Sequence, residues 1–479
     1  MVRIHPGPQQ GIPLKLITKQ NKLLILLILL VGLFLRLNEI DKLLVFTGDQ
    51  GRAYLEAAAI IRNGQFPLIG PQTSIPGVYL GPFFYYLIAA PLLLGNLNPV
   101  APAILTSLFG VLTIYLVYRI GRDFFSEGVG LLAAFLYAGS PLAIIQSRIS
   151  LEPSPLPFFG LLFIFASLKF FKGERLFIWL VMFSLFIALQ LNLSAILLVP
   201  LFFSGFFLYD LKKKNVFALS KILIISLSGF LLFGFFFLGW EQIFKRFPGL
   251  IERKLALGWA SPSGGFTNPL LFWEIFEKLT TPFSHYFSIF WFIVFSLGVL
   301  KAIKSKEGKF LVCWLTFSLA GLFLKKVSSE HSFGIVYSTP AIFVSLSLGQ
   351  LLETKRRLLL PVLALLGFLL VANTHFLIKN DYFLWRYSIP IRERMKVARF
   401  IIEDASGKPF ALKRKGQLDI YPATNQNYEY LVFWLGGRVE KDNQDLNYTI
   451  YEPKSDVFMF NPKGEIFEFE STAVEVTRR

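Results

Sequence analysis

Two carboxylates open the chemical reading. Asp49 heads Asp-Gln-Gly-Arg just where an apolar segment gives way to polar chain, with Arg52 three residues on and Tyr54 beyond it. A carboxylate at such a place can take a proton from a hydroxyl or hold a metal ion, and a guanidinium beside it can hold a phosphate. The plainer reading of Asp49 is a helix N-cap, since a helical pattern follows at once. Glu152 stands in Gln-Ser-Arg-Ile-Ser-Leu-Glu-Pro, four residues after Arg148. Its plainer reading is a boundary residue ahead of Pro153. Gln190 and Asn192 fall between two apolar runs, and Lys325, Lys326, Glu330, His331 and Tyr337 share another polar turn. Two lysines beside a histidine make a seat for a lipid-linked phosphate, while lysines at a span end also simply snorkel. Tyr54, Gln190, Asn192 and Tyr337 are the neutral groups placed to bind substrate.

Other chemistries are excluded or left open. Gly128-Val-Gly-Leu-Leu-Ala matches a dinucleotide fingerprint only formally, because it opens an apolar span and follows no strand. No P-loop, His-Glu-x-x-His or Gly-x-Ser-x-Gly motif occurs, and the single cysteine, Cys313, excludes an internal disulfide and a multi-cysteine metal site. No cofactor is required, and the residues leave open whether a divalent cation joins the two acids.

The elements that must position these residues are membrane helices. The chain of 479 residues is 54% hydrophobic and 16% charged, with 53 Phe, far more apolar than a soluble domain. Apolar stretches near 22–38, 101–118, 129–146, 155–171, 176–190, 193–209, 216–239, 286–300, 309–324, 334–351 and 358–376 predict an α-helical polytopic bundle of about eleven spans. The net charge of +17 does not point to nucleic acid, because the basic residues are scattered between spans. Lysines and arginines collect on one side, as at Lys212 to Lys214, Lys301 to Lys309 and Lys355 to Arg357. That side is cytoplasmic by the positive-inside rule. The N-terminus is then inside, and loops 39–100 and 240–285 lie outside the plasma (inner) membrane. Residues 79–95 are apolar but bracketed by Pro82 and Pro91, and counting them as a span would invert every later loop. They are read as an interfacial or re-entrant helix. Residues 1–380 form the membrane domain, and 385–479 form a small soluble extracytoplasmic α/β domain. In that domain an amphipathic helix over "RERMKVARFIIEDA" precedes strands in "YEYLVFWLGGRV", "NYTIYEP" and "SDVFMFNPKGEIFEFE".

The stretches GLFLRLNEI (32–40), GDQGRAYLEAAAIIRNGQFP (48–67), GPFFYYL through PLPFFGLLF (81–163) and ALQLNLSAILLVP (188–200) occur in a telling order. That order resembles the polytopic glycosyltransferase-C superfamily, in particular the branch of protein O-mannosyltransferases and lipid A aminoarabinose transferases. The resemblance covers residues 22–210 well, the later spans in general plan, and the C-terminal domain not at all. It implies that Asp49 is the essential acid of the first outer loop and Glu152 the acid of the second. Gln50 stands where the family often has a second acid, and Asn192 where it has a histidine. The implied reaction moves a sugar from a polyprenyl-phosphate donor in the bilayer to a hydroxyl of a protein, lipid or glycan. Asp49 serves as the base, and Arg52, Arg148, Lys325, Lys326 or His331 hold the phosphate, while 79–95 and the Phe-rich spans enclose the prenyl chain. An oligosaccharide polymerase or ligase uses the same donors. A transporter or flippase is a less economical reading, because the acids gather at one face rather than at mid-membrane.

Overall fold

The computed structural model describes residues 14–73, 79–209, 269–324, 330–382, 389–416, 425–440 and 445–478. Backbone groups that leave water must satisfy one another, so the apolar runs are helical. In chain order these are α1 (Leu14–Leu37), α2 (Gly48–Asn63), α3 (Phe83–Leu94), α4 (Ala101–Phe124), α5 (Glu127–Ala138), α6 (Pro141–Arg148), α7 (Leu156–Phe171), α8 (Phe177–Leu191) and α9 (Leu198–Leu208). They continue with α10 (Pro269–Thr280), α11 (His285–Ala302), α12 (Lys306–Leu324), α13 (Thr339–Thr354) and α14 (Leu359–Lys379).

A helix stands at every expected crossing except 216–239, which lies outside the described residues, as does most of loop 240–285. The described helices support fewer full-length spans than eleven. Among the described residues six helices are long and apolar enough to cross hydrocarbon, or seven if α5 and α6 make one span. Helices α7 and α8 have 16 and 15 residues and α9 only 11, against the roughly 20 residues that a straight crossing needs. Helix α3, at 12 residues, reaches only about 18 Å, short of the roughly 30 Å of a hydrocarbon core.

The bend of 61° between α5 and α6 falls at Gly139-Ser140-Pro141. A Gly-Ser pair followed by proline breaks the hydrogen-bond ladder, and the freed carbonyls need partners in an apolar setting. They find them. Arg36, fully buried on α1, donates to Ala138 O at 3.2 Å, and Asn373 on α14 donates to Gly139 O at 3.2 Å and Thr280 O at 2.8 Å. Ser140 Oγ donates to Leu279 O at 2.7 Å. Three distant helices therefore fix the direction in which α6 delivers Glu152.

The C-terminal part holds α15 (Ile391–Ala405), α16 (Gln426–Trp434) and strands β1 (Ala411–Gly416), β2 (Leu446–Glu452), β3 (Glu465–Glu468) and β4 (Ala473–Arg478). The sheet order is β1-β2-β4-β3, with β1 and β2 parallel and the other pairs antiparallel. The expected helix 391–405 and the strand in "NYTIYEP" are present. "YEYLVFW" is a helix instead of a strand, because Tyr428, Tyr430, Leu431 and Val432 are all buried and a strand would turn alternate side chains outward. Residues 454–459 form a 3₁₀ turn rather than a strand, and β4 completes the sheet. Ile391 N–H donates to Leu44 O at 2.9 Å, which fastens the unit to the chain emerging from α1.

Candidate active site

Asp49 lies in the first turn of α2, but it is not the cap. Thr47 is the N-cap and its N–H donates to Gln50 Oε1 at 2.8 Å, so the capping box is made without the carboxylate. The Asp49 side chain is 57% exposed and meets Arg52, 28% exposed, at 3.0 Å. An exposed pair of this kind contributes little to stability, which leaves both charges available to a ligand.

Glu152 occupies the turn between α6 and α7 and is 8% exposed, with Oε1 buried and unpaired among the described residues. Burial above all, and then the negative charge of Asp49, lifts its carboxyl from 4.5 to about 7, with Arg52 opposing. Tyr85 of α3 feels the charges of Glu152, Arg52, Glu56 and Asp49 together, so the short apolar helix closes one side of the site. Tyr54 turns its buried hydroxyl toward Ser150 and Gln50.

A second polar group adjoins this one. His331 Nδ1 is 2.7 Å from Gln146 Oε1, Gln146 Nε2 donates to Glu330 Oε1 at 2.9 Å, and Lys278 Nζ stands 3.0 Å from Glu330 Oε2. Tyr337 donates to Glu330 O at 2.9 Å. The charge of Asp49 reaches His331, so the two groups lie within electrostatic range of each other.

The remaining expected residues that the structure describes make structural contacts. Arg148 donates from one nitrogen to Arg36 O at 3.0 Å and Asn38 O at 2.8 Å, and its guanidinium lies 3.8 Å from the centre of the Tyr382 ring. It ties α6 to the end of α1 instead of facing Glu152. Gln190 accepts from Phe83 N at 3.2 Å and so pins the start of α3. Asn192 accepts from Ser194 N at 2.9 Å and caps a 3₁₀ turn. Lys325 and Lys326 lie outside the described residues. Sequence reasoning missed Gln146, Tyr85 and Lys278. Each was a polar group at the end or edge of an otherwise apolar helix, Lys278 in the amphipathic "FWEIFEK".

Among the described residues no three histidine, cysteine or acidic side chains converge as a metal cage. Asp49 and Glu152 supply two carboxylates with no third histidine, cysteine or acid beside them among the described residues. An apolar crevice of about 520 Å³ runs between α1, α5 and α14, lined by Leu24, Val31, Phe135, Leu363 and Leu370. Its lining runs from Leu24 to Val31 on α1, from Gly128 to Ala138 on α5 and from Leu359 to Leu370 on α14.

A helical bundle with acids and cations gathered at one polar edge offers a polar site where apolar helices end. Residues 79–240, about a third of the chain, match the dolichyl-phosphate-mannose-protein mannosyltransferase family. The stretch includes Glu152 and Gln190 and begins after Asp49. Over that third of its length the chain is similar to a family of membrane glycosyltransferases named for a dolichyl-phosphate sugar donor. Its fold is similar to that of ArnT from Cupriavidus metallidurans in the apo state, with a TM-score of 0.62 at 12% identity over 96% of this chain and 98% of that one. The same protein bound to undecaprenyl phosphate gives a TM-score of 0.60 at 12% identity, covering 97% and 98% of the two chains. The Archaeoglobus fulgidus oligosaccharyltransferase in complex with Zn and sulfate gives 0.58 at 15% identity, and 88% of this chain covers 62% of that one. No curated protein matches in sequence. The fold likeness to ArnT extends through the C-terminal unit, where the sequence resemblance had stopped.

Proposed function

We propose that the chain transfers a sugar from a polyprenyl-phosphate donor to a hydroxyl acceptor at the outer face of the plasma membrane. The observation that carries this reading is the meeting of an exposed Asp49–Arg52 pair with the buried Glu152 where the bundle's helices end. A lipid phosphate lies at that depth, and a sugar attached to it projects into the polar layer.

In the proposed step Asp49 accepts the acceptor's hydroxyl proton while that oxygen attacks the anomeric carbon from the face opposite the phosphate. A carbon–oxygen bond forms with inversion. The bond to the phosphate oxygen breaks, and its electron pair leaves with polyprenyl phosphate. The departing phosphate gains negative charge, which Arg52 and Lys278 are placed to offset, with Lys325 and Lys326 as further cations near Glu330 in sequence. Glu152 keeps its proton over much of the range below neutrality and can donate a hydrogen bond into the site. The positive-inside pattern supports the outward orientation. Undecaprenyl phosphate in a protein of similar fold supports a prenyl donor. The acceptor is a protein, lipid or glycan.

Mass spectrometry of lipids and glycoconjugates from cells with and without the protein tests this. A sugar-loaded polyprenyl phosphate should accumulate without it and a glycosylated product should disappear. Unchanged profiles in both fractions would contradict it.

A further inference from the structure

The C-terminal unit makes several contacts with the rest of the chain that folding it alone would not require, and one of them bears on the site. It reaches the backbone just ahead of Asp49. Arg394 of α15 donates to Phe46 O at 2.8 Å, and Asn427 of α16 donates to the same oxygen at 3.1 Å. Phe46 is fully buried, immediately before the Thr47 cap and three residues before Asp49. Its ring packs on Tyr54 and Tyr430, with centroids 5.3 and 6.0 Å away. At Gly51 the first turn of α2 lies so close that a Cβ there would strike the backbone of Gln426 and Asn427.

The grip is itself held from behind. Arg394 Nε meets Glu452 Oε1 at 3.1 Å, and Arg414 meets Glu452 Oε2 at 2.7 Å, with Tyr428 donating to the same carboxylate. Glu452 lies at the end of β2 and is almost wholly buried. Although burial alone would raise it, Arg394 and Arg414 hold its carboxyl below the ordinary value. A guanidinium locked this way cannot turn aside, so the Phe46 carbonyl is met by fixed donors.

We infer that Arg394 and Asn427 are positioning residues, through which the C-terminal unit sets the place of the Asp49 carboxylate relative to Glu152. Neither touches substrate. The register of α2 is fixed at its first turn by a sheet-borne clamp, and the reacting carboxylate inherits that precision. A shift of about 1 Å in such a group costs on the order of a hundredfold in rate.

Asn427→Asp tests the clamp. It keeps the shape and the Oδ1 that accepts from Tyr428 N, and it replaces the donor to Phe46 O with a carboxylate oxygen that repels that carbonyl. Asn425→Asp is the control, since it removes a donor to Leu412 O inside the same unit, 2.8 Å away. In the full-length protein in nanodiscs, hydrogen exchange of residues 47–52 should speed up severalfold in Asn427→Asp and stay at the wild-type rate in Asn425→Asp. Exchange in β2 and β4 should not change in Asn427→Asp. In proteoliposomes supplied with lipid extract from cells lacking the protein, kcat should fall roughly tenfold or more with donor KM within about twofold. Wild-type exchange at 47–52 in Asn427→Asp overturns the clamp, and faster exchange with unchanged kcat overturns its positioning role. The kinetic arm rests on the transferase reading and the exchange arm does not. A wild-type protein inert toward the extract would sink the former while leaving the clamp to be decided by exchange.

Discussion

At the scale of single residues, the two carboxylates differ in what surrounds them. Asp49 is exposed and faces Arg52, whereas Glu152 is buried and its carboxyl rises from 4.5 to about 7. The folded state therefore binds more protons at Glu152 than the unfolded chain does between about pH 4.5 and 7. Stability falls as pH rises through that window. We expect Glu152→Gln to remove this component of the fall, so that its melting temperature drops less than the wild type's between pH 5 and 7. Equal slopes in scanning fluorimetry would reject the raised value. The transfer rate should also show a titration near pH 7 that the Gln variant lacks. Both acids were legible in the sequence, because a carboxylate beside the end of an apolar run is conspicuous. The raised carboxyl of Glu152 was not, since burial is a property of its neighbours. Gln50 read as a lost acid and is instead half of the cap that frees Asp49 from capping.

At the scale of elements, the bent pair α5 and α6 carries the placement of Glu152. Its freed carbonyls depend on Asn373 and Arg36, from helices far apart in sequence. Asn373→Leu leaves the buried Gly139 carbonyl and the part-buried Thr280 carbonyl without this donor and should cost about 2 kcal/mol. A lowered melting temperature in detergent checks this, and an unchanged one would show that the carbonyls find other partners. Helix positions were readable from hydropathy, but lengths and breaks were not. A run such as 129–146 has one apolar composition whether straight or bent, and only Gly139-Ser140-Pro141 signals the difference. "YEYLVFW" misled for a related reason. Its aromatic and branched residues favour strands in isolation, while packing on α2 on one side and on the sheet on the other selects a helix.

At the scale of the whole molecule, orientation decides which donors the site can meet. Lys304 lies in an exposed turn on the lysine-rich side, and Glu465 lies exposed on β3. With Cys313 replaced, a cysteine at position 304 should resist an impermeant thiol reagent in intact cells and one at 465 should react. The reverse pattern would turn the acids toward the cytoplasm and toward nucleotide sugars. The central claim, that Asp49 is the base for transfer from a lipid-phosphate sugar, is tested most directly by Asp49→Asn in cells that lack the wild-type protein. Because Thr47 and Gln50 cap α2, the variant should insert at wild-type levels with unchanged melting. The measurement is the ratio of polyprenyl-phosphate sugar to glycosylated product by mass spectrometry. The account predicts that the variant accumulates donor as cells without the protein do, with transfer lower by roughly a hundredfold or more. A wild-type ratio in cells carrying the Asn variant would contradict it.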